Sequence, residues 1–154
     1  MELLGELLAD VEDALDEVRD LAHGIYPPIL ADLGLVRALT AAAKRSTLPV
    51  QVAATAAGRF SPDVEAAVYF CCLEALQNAG KYAGPGARAK VDLREEERRL
   101  VFEISDDGAG FDPRAARAGA GLTNMADRIG GIGGILRIES TPGRGTTVYA
   151  TVPL

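Results

Sequence analysis

At 154 residues, 48% of them apolar, the chain suits one domain with a short appendage and has enough apolar side chains for a core. Its net charge of −6 argues against nucleic acid as a main partner. No apolar run is long enough to span a bilayer, and no secretory leader opens the sequence. The two cysteines, Cys71 and Cys72, are adjacent in a helix-like run where they cannot easily pair, so a reducing, cytoplasmic setting is expected. With one histidine and no ligand-like cysteine spacing, a zinc site is excluded.

The first twenty-odd residues are acidic, with Glu2, Glu6, Asp10, Glu12, Asp13, Asp16, Glu17 and Asp20 against Arg19. Within them Leu4, Leu8, Val11, Leu15, Val18 and Ala22 recur at alternating steps of four and three, a heptad seam on a helix. Such a seam either docks on its own domain or forms one strand of an intermolecular bundle. The helix must stop near Gly24, because Pro27 and Pro28 cannot continue it. A proline hinge over residues 27–34 is expected next, then a helix opening at Leu35 and reaching about Ser46. This divides the chain into an N-terminal helix (1–26), the hinge, and a domain over 35–154.

Pro49 to Ala54 reads as a strand. Ser61-Pro62 is a good helix start, serine as N-cap and proline at the first helical position, and that helix runs to about Tyr82. Strands are predicted at Ala89–Arg94 and Leu100–Ser105, across a charged turn at residues 95–99. A helix from Thr123 to Ile129 follows, then a hairpin of Gly134–Ser140 and Thr146–Val152. Strands interleaved with helices on one face predict an α+β fold: a two-layer sandwich, a mixed, mostly antiparallel sheet under about three helices.

The helix from Pro62 is apolar nearly all round, as a buried helix is. Yet Glu74, Gln77, Asn78 and Lys81 fall on one face, at i, i+3, i+4 and i+7. They form either a solvent face or a polar site. Asp106-Asp107-Gly108-Ala109-Gly110-Phe111 follows a strand-like run, and alone it reads equally as a hairpin turn.

Taken together, the Glu74–Tyr82 stretch, the Asp106–Phe111 turn, Gly119-Ala120-Gly121-Leu122 and Gly143-Arg144-Gly145-Thr146 resemble the N, G1, G2 and G3 boxes of a known ATPase superfamily. Gyrase, heat-shock chaperone ATPases, mismatch-repair ATPases and sensor histidine kinases belong to it. The resemblance spans roughly residues 48–154 and implies a Bergerat-type fold that binds ATP. It implies Mg²⁺ at Asn78, whose neutral carboxamide oxygen suits a metal held mainly by waters and substrate phosphates. Glu74 is then the general base, and Lys81 neutralises phosphate charge. Asp106, an acceptor when ionised, reads the adenine amino group, where guanine shows a carbonyl. Gly108 and Gly110 let the backbone approach the base. Residues 112–118 form the ATP lid, Gly119, Gly121 and Leu122 offer backbone N–H groups to phosphates, and Thr146 lines the adenine end. The family often has histidine where this chain has Tyr82, whose hydroxyl can still donate a hydrogen bond.

A second resemblance narrows the class. Residues 21–30 (LAHGIYPPIL), then Leu33-Gly34-Leu35 and Ala38-Leu39, look like the end of the dimerisation helix and hinge in kinases paired with LuxR-type response regulators. It implies a homodimeric kinase whose acceptor histidine lies on an upstream helix beside an acidic residue. His23 is followed by Gly24 instead and matches the hinge end. The chain therefore reads as a catalytic module that passes the γ-phosphoryl of Mg-ATP to an upstream histidine, for relay to a response regulator. The alternatives are an ATP-hydrolysing clamp, which needs a transducer domain, and an anti-sigma-type switch or serine kinase.

Overall fold

The computed structural model describes residues 2–22, 27–56, 58–114 and 120–154. Helix α1 (Glu2–Ala22) is followed by α2 (Pro28–Leu33), α3 (Leu35–Arg45), β1 (Val50–Ala54), α4 (Pro62–Tyr82), β2 (Ala89–Glu96), β3 (Arg99–Asp106), α5 (Ala120–Gly130), β4 (Ile135–Ser140) and β5 (Thr146–Pro153). The strands form one sheet in the order β1-β2-β3-β5-β4. Only β1 and β2 run parallel; the other three pairings are antiparallel. This is the α+β sandwich expected from the sequence.

Alternation along the strands explains the two layers. Ala89, Val91 and Leu93 of β2, Leu100, Phe102 and Ile104 of β3, and Val148, Ala150 and Val152 of β5 are buried on the helix side. Residues Lys90, Arg99 and Arg137 on these and neighbouring strands remain exposed. The inward set packs with Val68, Cys72, Ala75 and Leu76 of α4, Met125 and Ile129 of α5, and Leu35, Ala38 and Leu39 of α3. Burial of such side chains stabilises by roughly 1.5–3 kcal/mol each, which makes α4 the spine of the domain.

Several boundaries differ from the sequence reading. The segment expected as a proline hinge holds a helix, α2, because Pro28 occupies its first turn and Pro27, with ψ 130°, caps it in extended geometry. Two prolines cannot continue a helix, but they can begin one. Gly34, at φ +86°, joins α2 to α3 and donates its N–H to Leu30 O at 3.1 Å. The β2–β3 turn is narrower than predicted, with Glu97 and Arg98 at positive φ of 49° and 61°. Helix α5 starts at Ala120, which brings Gly121 and Leu122 into its first turn.

In α1, Leu4, Leu8 and Val11 of the heptad seam are 63%, 64% and 55% exposed, and Leu3 and Leu7 beside them are exposed as well. This half of the seam is not docked on its own domain. The side chains of Leu15, Val18 and Ala22 lie outside the described set, as does His23.

Candidate functional site

The polar face of α4 is set by its two ends. Ser61 Oγ accepts the Val64 N–H at 3.4 Å and Pro62 starts the first turn, which fixes the helix phase. At the other end Ala83 donates its N–H to Ala79 O at 3.0 Å. Glu74 and Asn78 are half-buried one turn apart, while Lys81 and Tyr82 are exposed at the last turn, Tyr82 by 66%. Gln77 shares the face, and its Oε1 is buried with no hydrogen-bond partner.

Helix α5 closes one side. A Cβ on Gly121 would overlap Glu74 Oε1 and lie 3.1 Å from its Cδ, so the backbone of the first α5 turn sits directly on the Glu74 carboxylate. Leu122, half-buried, packs against the core. Two turns on, Arg128 stacks 5.0 Å over the Phe70 ring. Arg128 and Glu74 both lie within electrostatic reach of Cys71. Burial pushes that thiol up to about 12, with Arg128 drawing it down and Glu74 adding to the rise. Gly119 and the rest of the predicted lid from residue 115 lie outside the described residues.

The opposite wall is the end of the sheet. Asp106, the last residue of β3, stands opposite Thr146, the first of β5. The loop after Asp106 leads to α5, and the neighbours of β3 in the sheet are β2 and β5. Asp106-Asp107-Gly108 is therefore not the turn of a two-residue hairpin. Its shape is held from several directions. Asp106 Oδ1 accepts the Gly108 N–H at 2.9 Å. Asp107 turns away and accepts the Arg88 N–H at 2.7 Å. Ala109 donates its N–H to Ala83 O at 2.9 Å, tying the turn to the end of α4. Gly108 packs so closely there that a Cβ would lie 2.5 Å from Ala83 O. Gly110, at φ +62°, lies against Thr141 O and Gly145 O, where any side chain would collide with backbone.

Ser140 is a site residue that sequence reasoning missed. Its Oγ accepts the Phe111 N–H at 2.8 Å, donates to Gly145 O at 3.0 Å and lies 2.9 Å from Thr146 Oγ1. One hydroxyl thus joins the Asp106–Phe111 turn to the Gly143–Thr146 turn. The only hint in the sequence was a serine ending a strand just before Pro142-Gly143. The Asp106–Phe111 turn is thus tied both to the end of α4 and to the Gly143–Thr146 turn, while the first turn of α5 lies against Glu74 earlier on α4.

The class of protein is an α+β sandwich, a five-stranded mixed sheet under helices. Residues 63–154 match the family described as histidine kinase-, DNA gyrase B- and HSP90-like ATPase, and the chain belongs to that family. ATP is the ligand that membership implies. The chain is 34% identical over 149 residues to the sensor histidine kinase MctS of Rhizobium johnstonii, covering 91% of this chain and 32% of that protein. It is equally similar, 34% over 149 residues, to the oxygen sensor histidine kinase NreB of Staphylococcus carnosus, covering 91% of this chain and 42% of that one. The chain thus spans well under half the length of these relatives. Among solved structures, the histidine kinase domain of the Erythrobacter litoralis EL346 blue-light activated kinase superposes with a TM-score of 0.61 at 23% identity, over 77% of this chain and 57% of that one. The mycobacterial sensor histidine kinase MprB gives 0.56 at 22%, over 76% and 91%. These likenesses establish the fold. Among the described residues, no helix is long and apolar enough to cross a membrane.

Proposed function

We propose that the chain is the catalytic module of a sensor histidine kinase. It binds Mg-ATP and delivers the γ-phosphoryl to a histidine on helices upstream of α1, for relay to a response regulator of the LuxR type. The observation that carries this reading is the pairing of Asp106 with Thr146 at the sheet end, in a turn that Ala109 ties to Ala83 at the end of α4, the helix whose Glu74 lies against Gly121. Similarity to MctS and NreB selects the kinases from the wider family.

In this account Asp106 accepts a hydrogen bond from the adenine amino group, while Gly108, Gly110 and Thr146 shape the base pocket. Gly119, Gly121 and Leu122 present backbone N–H groups to the phosphates, aided by the positive end of the α5 dipole. Tyr82 and Lys81, exposed at the end of α4, reach the phosphate side from solvent. Glu74 holds or removes a proton at the attacking histidine. The donors fit a magnesium ion: Asn78 supplies one neutral oxygen, and the unpartnered buried Gln77 Oε1 is a further acceptor on that face. Bound there, Mg²⁺ would neutralise phosphate charge. Residues 1–26 belong to a dimerisation bundle, in keeping with the exposed Leu4, Leu8 and Val11, and residues 27–34 form the hinge.

Calorimetry with ATP and GTP tests the ligand. ATP binds with Mg²⁺ dependence and GTP does not; equal binding of the two sinks the adenine assignment. Asp106→Asn keeps an oxygen for the Gly108 N–H but loses the charged bond to adenine, so affinity falls about ten- to a hundredfold. Labelled ATP with the chain alone leaves no acid-labile, alkali-stable phosphate, and a separate bundle carrying the acceptor histidine becomes labelled in trans. Rapid labelling of this chain, abolished by His23→Gln, overturns the reading.

A further inference from the structure

Glu65, on α4, is completely buried. Its Oε1 accepts the Nε–H of Arg59 at 2.9 Å and the Phe60 N–H at 2.9 Å, and its Oε2 accepts from Arg59 Nη2 at 3.2 Å. The same Nη2 donates to Leu30 O at 3.3 Å and Ala31 O at 3.1 Å, the two middle residues of α2. A six-residue helix leaves most of its terminal carbonyls without intrahelical partners; Arg59 takes up Ala31 O and adds a second donor to Leu30 O, which already accepts the Gly34 N–H. The space is shaped for it: a Cβ on Gly34 would lie 2.9 Å from Arg59 Cδ and 3.1 Å from Nε.

Glu65 is buried but the Arg59 side chain is 52% exposed, so water screens the pair and it adds little stability; its contribution is geometric. It joins α2, which leads in from the hinge, to the helix that carries Glu74 and Asn78. Glu65 and Asn78 are about 20 Å apart along one continuous α4. On the other side of the hairpin, Thr47 and Leu48 after α3 press on Gly80, where a Cβ would lie 2.7 Å from Thr47 Oγ1. The α2–α3 hairpin is thus held against α4 near both of its ends.

We propose that Arg59 is a positioning residue for phosphoryl delivery: it clasps α2 to the Glu65 carboxylate so that the hinge hairpin and the nucleotide helix move as one body. The proposal builds on the kinase reading, because a fixed hairpin sets the direction in which bound ATP is offered to the upstream histidine. It leaves nucleotide affinity to residues at the far end of α4.

Hydrogen exchange, calorimetry and phosphoryl transfer to a histidine-bearing bundle test it together. In Arg59→Gln, exchange at the Ala31 amide, which donates to Pro27 O at 3.2 Å, rises by about tenfold or more as charged hydrogen bonds are lost. Amides in the middle of α4 stay protected, ATP affinity stays within about twofold, and transfer slows by about tenfold. The paired variant Arg59→Met with Glu65→Leu keeps the core apolar and folded and still shows loosened α2 and slow transfer. Unchanged Ala31 exchange, or ATP affinity falling in step with transfer, overturns the proposal. Failure of the unmodified chain to bind ATP is a separate result that removes the kinase reading, and Ala31 exchange then still decides whether the clasp exists.

Discussion

Gly108→Ala probes the cleft wall at its tightest point. The added Cβ would lie 2.5 Å from Ala83 O and 2.6 Å from Ala83 Cα, and it would overlap the Ala83 Cβ. Ordinary carbon contacts need about 3.5–4.0 Å, so backbone must part by about an ångström. Neither partner can swing aside: Ala83 caps α4 through its bond to Ala79 O, and it is 8% exposed. Overpacking of this kind costs about 1–3 kcal/mol. Parting the backbone also breaks the 2.9 Å bond from the Ala109 N–H to Ala83 O, worth about 1 kcal/mol more. A total of about 2–4 kcal/mol lowers the melting temperature by roughly 5–15 °C for a chain of this size. ATP affinity should fall with it, because Gly108 also donates the hydrogen bond that orients Asp106. Gly121→Ala is the contrasting variant. The three atoms nearest its Cβ all belong to the Glu74 side chain rather than to backbone, and alanine favours helix by up to about 1 kcal/mol over glycine. That variant should melt at or slightly above the parent temperature while losing transfer activity through displaced Glu74. Thermal melts by circular dichroism with parallel ATP calorimetry decide the matter. A Gly108→Ala protein that melts within about 2 °C of the parent and binds ATP equally refutes the reasoning.

Ser140→Ala removes the hydroxyl shared by Phe111, Gly145 and Thr146; it should cost about 1–3 kcal/mol in denaturant titration and weaken ATP binding, whereas Ser140→Thr retains much of both. The buried thiols predict alkaline sensitivity. Cys71 rises from 9.0 to about 12 and Cys72 well above 9.0, both chiefly through burial, so the unfolded chain releases these protons before the folded one does. Their contribution to stability is fully present below pH 9 and is lost as pH climbs from 9 towards 12, at about 1.4 kcal/mol per pH unit for each thiol. A Cys71→Ala, Cys72→Ala protein should lose stability less steeply across that range, and equal slopes would contradict the assignment. If the α1 seam packs between chains, sedimentation should show mostly monomer at low salt and more association as screening rises, since its acidic faces repel; a tight, salt-insensitive dimer would contradict this.

Local signals in the sequence carried the architecture a long way. Ser61-Pro62 marked the start of α4 because capping is decided by neighbouring residues, and alternation marked the strands because one sheet face is buried. The spacing of Glu74, Asn78 and Lys81 put them on one face, since a helix repeats every 3.6 residues whatever packs beside it. The acidic helix was equally legible. The helix at Pro28–Leu33 was not, because consecutive prolines read first as a helix stop.

What tertiary structure alone decided are contacts between segments far apart in the chain. That Asp106 faces Thr146 depends on β5 pairing with β3 ahead of its hairpin partner β4 in the sheet order, a choice no local pattern encodes. Ser140 became a site residue because strand register brought it to the Phe111 N–H, 29 residues away in sequence. Nothing in the local sequence marks Glu65 for burial, yet it is buried and paired with an arginine from outside α4. Hydrophobic periodicity says which side of an element turns inward; which elements then meet depends on how whole surfaces fit, and that is settled only when the layers pack.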